Sequence, residues 1–337
     1  MIGEVEKKER VCVTGAGGYT ASWLVKFLLA KGYVVHGTAR DPCDEKNRHL
    51  KRLENASENL KLFKADLFDY EGLCSAVSCC SGVFHVACPV PFPGTVTDPQ
   101  KELIEPSVTG TKNVLNACLK AKVKRVVVVS SVGAVMQNPN WPKDEAMDEN
   151  CWSDKDFCRS TENYYFLGKT MAEIEALEFA KRYEQDLQVI TVCPALIIGP
   201  MLQSPLNSTS LFLLTLLKDG HQSVADKNRP VVDVRDVAEA LMLVYEKPEA
   251  KGRYICSSYS YTTHAFVDTL KTLYPNYSYP KSFTDPEEEI KVSSMKLQKL
   301  GWKFRPLDKT LADMVRNYEE RGLLSNVKPC GCSEKSD

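Results

Sequence analysis

No charge of one sign dominates this chain: 43 Lys and Arg stand against 44 Asp and Glu, a formal net charge of −1. Nucleic-acid binding by phosphate neutralisation needs a basic face, and this balance supplies none, so no nucleic-acid partner is expected. Long apolar runs are missing too. Val126–Val129 and Leu211–Leu217 fall far short of the ~20 residues that cross a bilayer, which excludes a spanning helix. The opening Met-Ile-Gly-Glu-Val-Glu-Lys-Lys-Glu-Arg lacks the apolar core of a signal peptide. Histidine is scarce, five in 337 residues, and the thirteen cysteines fall at no metal-ligand spacing. No metal site is therefore expected, nor zinc-dependent alcohol oxidation. Reduced thiols in a cytoplasmic protein are the expectation.

What is present is a chain rich enough in apolar residues, 43%, to bury a large core. Strand-like and helix-like segments alternate from the start. Arg10–Thr14, Val34–Ala39, Leu60–Ala65, Gly82–Ala87 and Arg125–Ser130 are short β-rich runs. Tyr19–Lys31 and Pro106–Ala121 have helical spacing. Apolar strands without alternation belong to parallel sheets covered on both faces, so a doubly wound α/β sheet is expected. Beyond Pro194 the rhythm changes. Gly199–Asn207 reads as a loop, Leu211–Leu217 as a buried helix, and Val231–Tyr245 with Arg253–Cys256 as a helix–strand unit returning to the sheet. The expected division is a sheet domain over 8–196 plus about 229–260. A smaller interleaved lobe covers about 197–228 and 261–325, and a disordered tail 326–337.

The turn after the first strand, Thr14-Gly15-Ala16-Gly17-Gly18-Tyr19-Thr20-Ala21, carries the first chemical signal. Gly15 allows a tight turn, Gly18 a close backbone approach, and Ala21 the packing of the new helix on its strand. The free N–H groups at the start of that helix, around Tyr19 and Thr20, face a pyrophosphate. The nucleotide is read at the end of the second strand, Thr38-Ala39-Arg40-Asp41-Pro42. An acid alone there suits a ribose diol, hence NAD; an arginine pairs bidentately with a 2′-phosphate. Arg40 comes first, with Lys46 and Arg48 close behind, which favours NADP(H). The alternative is a solvated Arg40 with Asp41 on the ribose. Asp66 and Leu67 at the third strand's end can frame the adenine, and Ala87 after the fourth can border a ribose; both positions also suit ordinary strand ends.

Tyr165-Phe166-Leu167-Gly168-Lys169 sets a phenol and an ammonium four residues apart, on one face of a helix expected over Thr161–Tyr183. A lysine cation is expected to lower the phenol's pKa from its usual ~10 and ready it for proton transfer. Lys169 can also hold the nicotinamide ribose. Ser131, just beyond the fifth strand, can bond a substrate oxygen during hydride addition; Ser130 and Ser131 can equally be a strand terminus. The agreement of these elements in one chain order favours an enzyme over a turnover-free nucleotide sensor or scaffold.

These residues resemble the extended short-chain dehydrogenase/reductases, and within them the plant cinnamoyl-CoA reductase, cinnamyl alcohol dehydrogenase and dihydroflavonol reductase group. The likeness rests on the glycine turn, Thr38–Pro42, Val129-Ser130-Ser131-Val132-Gly133-Ala134-Val135, Val231-Val232-Asp233-Val234-Arg235-Asp236-Val237-Ala238 and Gly252-Arg253-Tyr254. It implies a Rossmann sheet, NADPH, a Ser131–Tyr165–Lys169 triad, and Pro194, Ala195 and Ile197 at the nicotinamide pocket. There are departures. Where cinnamoyl-CoA reductases read Asn-Trp-Tyr-Cys-Tyr-Gly-Lys, this chain has Asn163-Tyr164-Tyr165-Phe166-Leu167-Gly168-Lys169. Where they read Asn-x-Ser-x-x-His-x-x-Lys, Asn207 is followed by Thr209, Phe212 and Thr215. Coenzyme A is multiply anionic and calls for donors or cations at its entrance. The expectation is therefore an aldehyde/alcohol dehydrogenase for hydroxycinnamaldehyde-like substrates. Thioester reduction is its close alternative and a dihydroflavonol-like ketone reductase a third. Phe166, Leu202 and Phe212 are candidate walls for the small aromatic carbonyl substrate, or core. Cys151 and Cys158 flank the catalytic helix, where a redox role is conceivable.

Overall fold

Valine runs without polar alternation need apolar cover on both faces of the strand, and the architecture supplies it. The computed structural model describes residues 8–90, 92, 94–218, 220, 222–285 and 290–324; the tail expected at 326–337 lies outside the described residues. The strands, in chain order, begin with β1 (Arg10–Val13), β2 (Val34–Ala39), β3 (Leu60–Lys64), β4 (Gly82–His85), β5 (Arg125–Val129) and β6 (Gln188–Pro194). There follow β7 (Leu196–Ile198), β8 (Ser223–Val224), β9 (Asn228–Asp233), β10 (Gly252–Cys256), β11 (Tyr259–Thr262) and β12 (Ser282–Phe283). Seven form one parallel sheet in the order β3-β2-β1-β4-β5-β6-β10. The order reverses between β1 and β4, the switch point where such sheets open a ligand crevice beyond their carboxyl ends.

In β1, β4 and β5 successive residues face opposite cores. Val11, Val13, Phe84, Val127 and Ile190 pack beneath the helices Tyr19–Ala30 and Val234–Glu246. Cys12, Val83, Val126, Val128 and Val189 pack against Tyr70–Val77, Glu105–Lys120 and Tyr164–Arg182. The fold is the doubly wound sheet expected from the sequence. The helix carrying Tyr165 starts at Tyr164, later than expected, because a separate short helix, Lys155–Ser160, ends at Thr161 and Glu162 takes a left-handed φ of 55°. β6 has no counterpart in the sequence reading.

The returning unit is also present: the helix Val234–Glu246 is capped by Asp233, which accepts from Arg235 N at 2.8 Å. Its far end is held by Arg125 at the start of β5, which donates to Tyr245 O (2.6 Å) and Lys247 O (2.8 Å), a cation where the helix dipole favours one. β9, although inside the 229–260 stretch expected in the sheet domain, pairs instead with β7 and β11 in a second, three-stranded sheet. Over it lie the helices Ser208–Lys218, Thr263–Leu273 and Leu307–Glu320, joined through Leu213, Leu217, Phe266, Leu270, Leu311 and Met314. β7 follows β6 after a single residue, so this lobe starts at the carboxyl end of the main sheet. Among the described residues no helix is long and apolar enough to cross a membrane, and no His/Cys/Asp/Glu cluster could hold a metal ion.

Candidate active site

The glycine turn is fastened before any ligand enters. Gly15 has φ +64°, and a Cβ there would lie 3.0 Å from that of Ala87, so a side chain is excluded by conformation and by space. Gly15 N donates to Thr38 Oγ1 (3.0 Å) and Ala16 N to Thr38 O (2.9 Å), which sets Arg40, two residues on, beside the turn. Gly18 is the N-cap of the helix Tyr19–Ala30 with no side-chain cap, and no acid sits in the first turn. That end is free to meet an anion. A Cβ on Gly17 would strike Asn47 Oδ1; Asn47, buried, also donates to Asp41 O at 2.8 Å. The Tyr19 phenol donates to Gly199 O and Trp23 Nε1 to Pro200 O, both at 2.8 Å. Tyr19 therefore offers a ligand its backbone rather than its hydroxyl, and Thr20 is buried beside it.

A buried polar chain that sequence reasoning missed holds the far side of the turn. Thr111 Oγ1 donates to Ser107 O (2.7 Å), so His85 Nε2–H donates to Thr111 (3.2 Å) and His85 Nδ1 accepts from Thr14 Oγ1 (3.0 Å). Thr14 Oγ1 in turn accepts from Val86 N and Ala87 N, each at 3.0 Å. Burial, with the Lys169 charge behind it, pushes the His85 pKa down to about 3, so the ring stays neutral and keeps this direction. Thr14 adjoins the glycine string and His85 ends a strand; those are the signals that could have pointed to them.

The cations expected near the adenosine ribose separate. Lys46 is paired with Asp44 at 2.7 Å and Arg48 with Glu45 at 3.3 Å. Arg40 is exposed and has no ion pair among the described residues. Asp41 Oδ1 is engaged by Cys43 N at 2.9 Å. Asp66 caps its own turn, accepting from Phe68 N (2.7 Å) and Asp69 N (3.1 Å), and Leu67 O accepts from Asn113 Nδ2 (2.9 Å). Both lie just beyond the carboxyl end of β3. Pro194 and Ala195 are buried where β6 ends, and Ile197 is half-buried in β7.

Ser131, Tyr165 and Lys169 converge. Ser131 follows β5 and caps the short turn Val132–Ala134; its Oγ accepts from Gly133 N at 3.0 Å, and its hydroxyl lies near enough to the Tyr165 phenol to pull that group's pKa down. Lys169, buried, donates to Val129 O at 2.8 Å and lines one cleft with His85, Ala87, Cys88 and Ser130. Burial opposes the lysine's charge, but Cys88 and Tyr165 outweigh it and the pKa rises. The expectation of a lowered phenol pKa is corrected here. Lys169 does pull Tyr165 down, but burial is the larger effect and holds the phenol above its ordinary value. At neutral pH the group therefore stands protonated, as a proton donor must.

The three candidate wall residues pack against three different clusters. Phe166 packs on Gly133 and with Ile104 and Leu167. Leu202 leans on the main core, and Phe212, half-buried against the lobe core beneath the Arg229 guanidinium 5.1 Å away, lines a small cavity with Tyr261 and Phe266. Cys151 and Cys158 are free, fully buried and in separate clusters. Burial raises both pKa values, Cys151 to about 11, the reverse of what a redox-sensitive thiol needs.

A parallel sheet with this turn at its switch point defines an oxidoreductase of the Rossmann class. The chain belongs to the NAD dependent epimerase/dehydratase family, whose model matches residues 11–256, the extended short-chain dehydrogenase/reductases. It is 46% identical over 318 residues to cinnamoyl-CoA reductase 1 of Petunia hybrida, covering 93% of each chain. Among solved structures it is similar to vestitone reductase from alfalfa (TM-score 0.80, 31% identity, 94% of this chain and 100% of that one). It is also similar to yeast methylglyoxal/isovaleraldehyde reductase complexed with NADPH (TM-score 0.80, 26% identity, 94% and 100%).

Proposed function

We propose that the chain is an NADPH-dependent reductase of phenylpropanoid carbonyl compounds, with a cinnamoyl-CoA-type thioester as its substrate. The convergence of Ser131, Tyr165 and Lys169 at the end of β5, facing the glycine turn, carries the reading. The petunia relative's name supports the thioester and reverses the order of substrates drawn from Phe212 and Thr215 alone. Reduced nicotinamide, when bound, supplies a hydride to the acyl carbon. Ser131 Oγ–H and Tyr165 Oη–H polarise the carbonyl oxygen, and Tyr165 passes its proton to that oxygen as charge develops. Lys169 holds the nicotinamide ribose and stabilises the phenolate left behind. The resulting hemithioacetal expels the thiol and leaves an aldehyde. Arg40 takes the 2′-phosphate.

Arg40→Ala is expected to raise KM for NADPH about 10- to 100-fold, the worth of a bidentate pair to a charged group, with NADH changed less than about threefold. Equal effects on both cofactors would move the 2′-phosphate elsewhere.

Aldehyde reduction to the alcohol is the second reading, favoured by one observation: the helix Ser208–Lys218 puts no cation at 212 or 215, and Thr215 Oγ1 is spent on Phe212 O at 2.7 Å. Initial rates with NADPH, comparing feruloyl-CoA and coniferaldehyde, decide. A higher kcat/KM for the thioester is expected; a preference of about tenfold or more for the aldehyde puts the second reading first. Phe212→His with Thr215→Lys is expected to raise thioester kcat/KM by about tenfold, through two added charge-assisted contacts. No change would remove both positions from coenzyme A recognition.

A further inference from the structure

Three consecutive residues at the end of β5 are held by three residues one helical turn apart. Ser131 lies beside Tyr165, Val129 O accepts from Lys169, and Ser130 Oγ donates to Glu173 Oε2 at 2.7 Å. The first two rungs belong to the site just described. The third reaches a carboxylate at the inner wall of the same cleft, whose side chain has no exposed surface. Glu173 Oε1 accepts from Thr191 Oγ1 (2.7 Å), Arg253 Nε (2.8 Å) and Cys193 Sγ (3.2 Å), and Oε2 also takes Arg253 Nη2 (3.2 Å). Arg253 spends its remaining N–H groups on Cys151 O (2.6 Å), Glu149 O (3.1 Å) and Ala134 O (3.1 Å), and its plane lies 3.5 Å over Trp152.

Such a pair is costly. A buried ion pair gains little stability over an apolar pair of equal size, because desolvation offsets the attraction. What this one does achieve is connection. It joins the Tyr165–Lys169 helix, the turn carrying Ser131 (from both sides, through Ser130 and Ala134), β6 just before Pro194, and the 149–152 loop. Every donor it receives is directional, and a carboxylate can satisfy all of them because it only accepts.

We propose that Glu173, locked by Arg253, is the positioning residue that sets the catalytic helix in register with the end of β5. It thereby holds Tyr165 and Lys169 opposite Ser131. The proposal rests on the roles given above to those three residues. Misplacement by 1 Å at a distance from the chemistry is enough for large rate losses.

Glu173→Gln keeps the volume and inserts an N–H₂ among donors. Expected is a 10- to 50-fold fall in kcat, with KM for the carbonyl substrate and Kd for NADPH (followed by its fluorescence) within about threefold of the parent. A purely architectural role would lower Tm or soluble yield while the folded fraction turned over at the parental rate, and that result overturns the proposal. Should Glu173→Gln fail to fold, Ser130→Ala decides, since it removes only the rung from strand to carboxylate. A kcat at least about fivefold lower at unchanged KM supports the proposal, and a parental kcat overturns it. An unsubstituted enzyme inert towards both feruloyl-CoA and coniferaldehyde while binding NADPH would instead overturn the proposed function, and this inference with it.

Discussion

Tyr165→Phe is expected to lower kcat by a factor of about 10²–10⁴, the range for removing a positioned general acid, or roughly 3–5 kcal/mol of barrier. The ring stays: Tyr165 and Phe166 meet edge to face with centroids 6.0 Å apart, and phenylalanine preserves that contact. Only the hydroxyl beside Ser131 is lost. NADPH affinity should therefore change little, so that single-turnover rate and cofactor Kd move independently. A variant keeping more than about a tenth of the parental kcat would assign the proton to another donor, Ser131 first among them. The raised pKa gives the sign of the effect: the phenol is protonated at neutral pH, so what the variant lacks is a proton ready to be given.

Lys169→Ala should cost about as much, roughly 10²–10³ in kcat, but with a different signature. The ammonium is buried and donates to Val129 O, so its removal orphans a carbonyl group and takes away the one charge that pulls the Tyr165 pKa down. Cofactor Kd should rise as well, by about tenfold, because the same group is proposed to hold the ribose. Lys169→Arg is not expected to rescue, since a planar fork does not replace a compact point charge in a closed cleft. If Lys169→Ala left NADPH affinity unchanged, the ribose contact would be withdrawn and the electrostatic role retained.

Much of this was legible in the residues because it is local. The glycine turn lies between a strand and a helix, and a Tyr and a Lys four apart share a face wherever a helix forms. The valine run of β5 announces a strand covered on both sides. Features that need distant chain segments were not legible. His85 looks like any residue in an apolar strand; only folding sets it between Thr14 and Thr111. The phenol pKa went the wrong way because the sequence displays the lysine that lowers it and hides the burial that raises it. Phe166, Leu202 and Phe212 are apolar enough to line a pocket or to pack, and only folding sets each of them, half-buried, against a different cluster. β6 is the exception, a local signal: Val189-Ile190-Thr191-Val192 is as β-branched as the other strands, but the change of rhythm just after it masks the run.

The loop that follows β7 is gripped from two directions. Tyr19 and Trp23 hold the carbonyls of Gly199 and Pro200. From the last described helix Asn317 brackets Met201, accepting from its N (2.9 Å) and donating to its O (3.2 Å), while Arg321 donates to Met201 O (2.6 Å) and Gln203 O (2.8 Å). Anyone grafting this loop from a homologue to change selectivity would be exchanging the middle of a splint whose two ends stay behind. The transplant must carry its own counterparts of residues 19, 23, 317 and 321, or the borrowed segment will arrive with the right letters and the wrong shape.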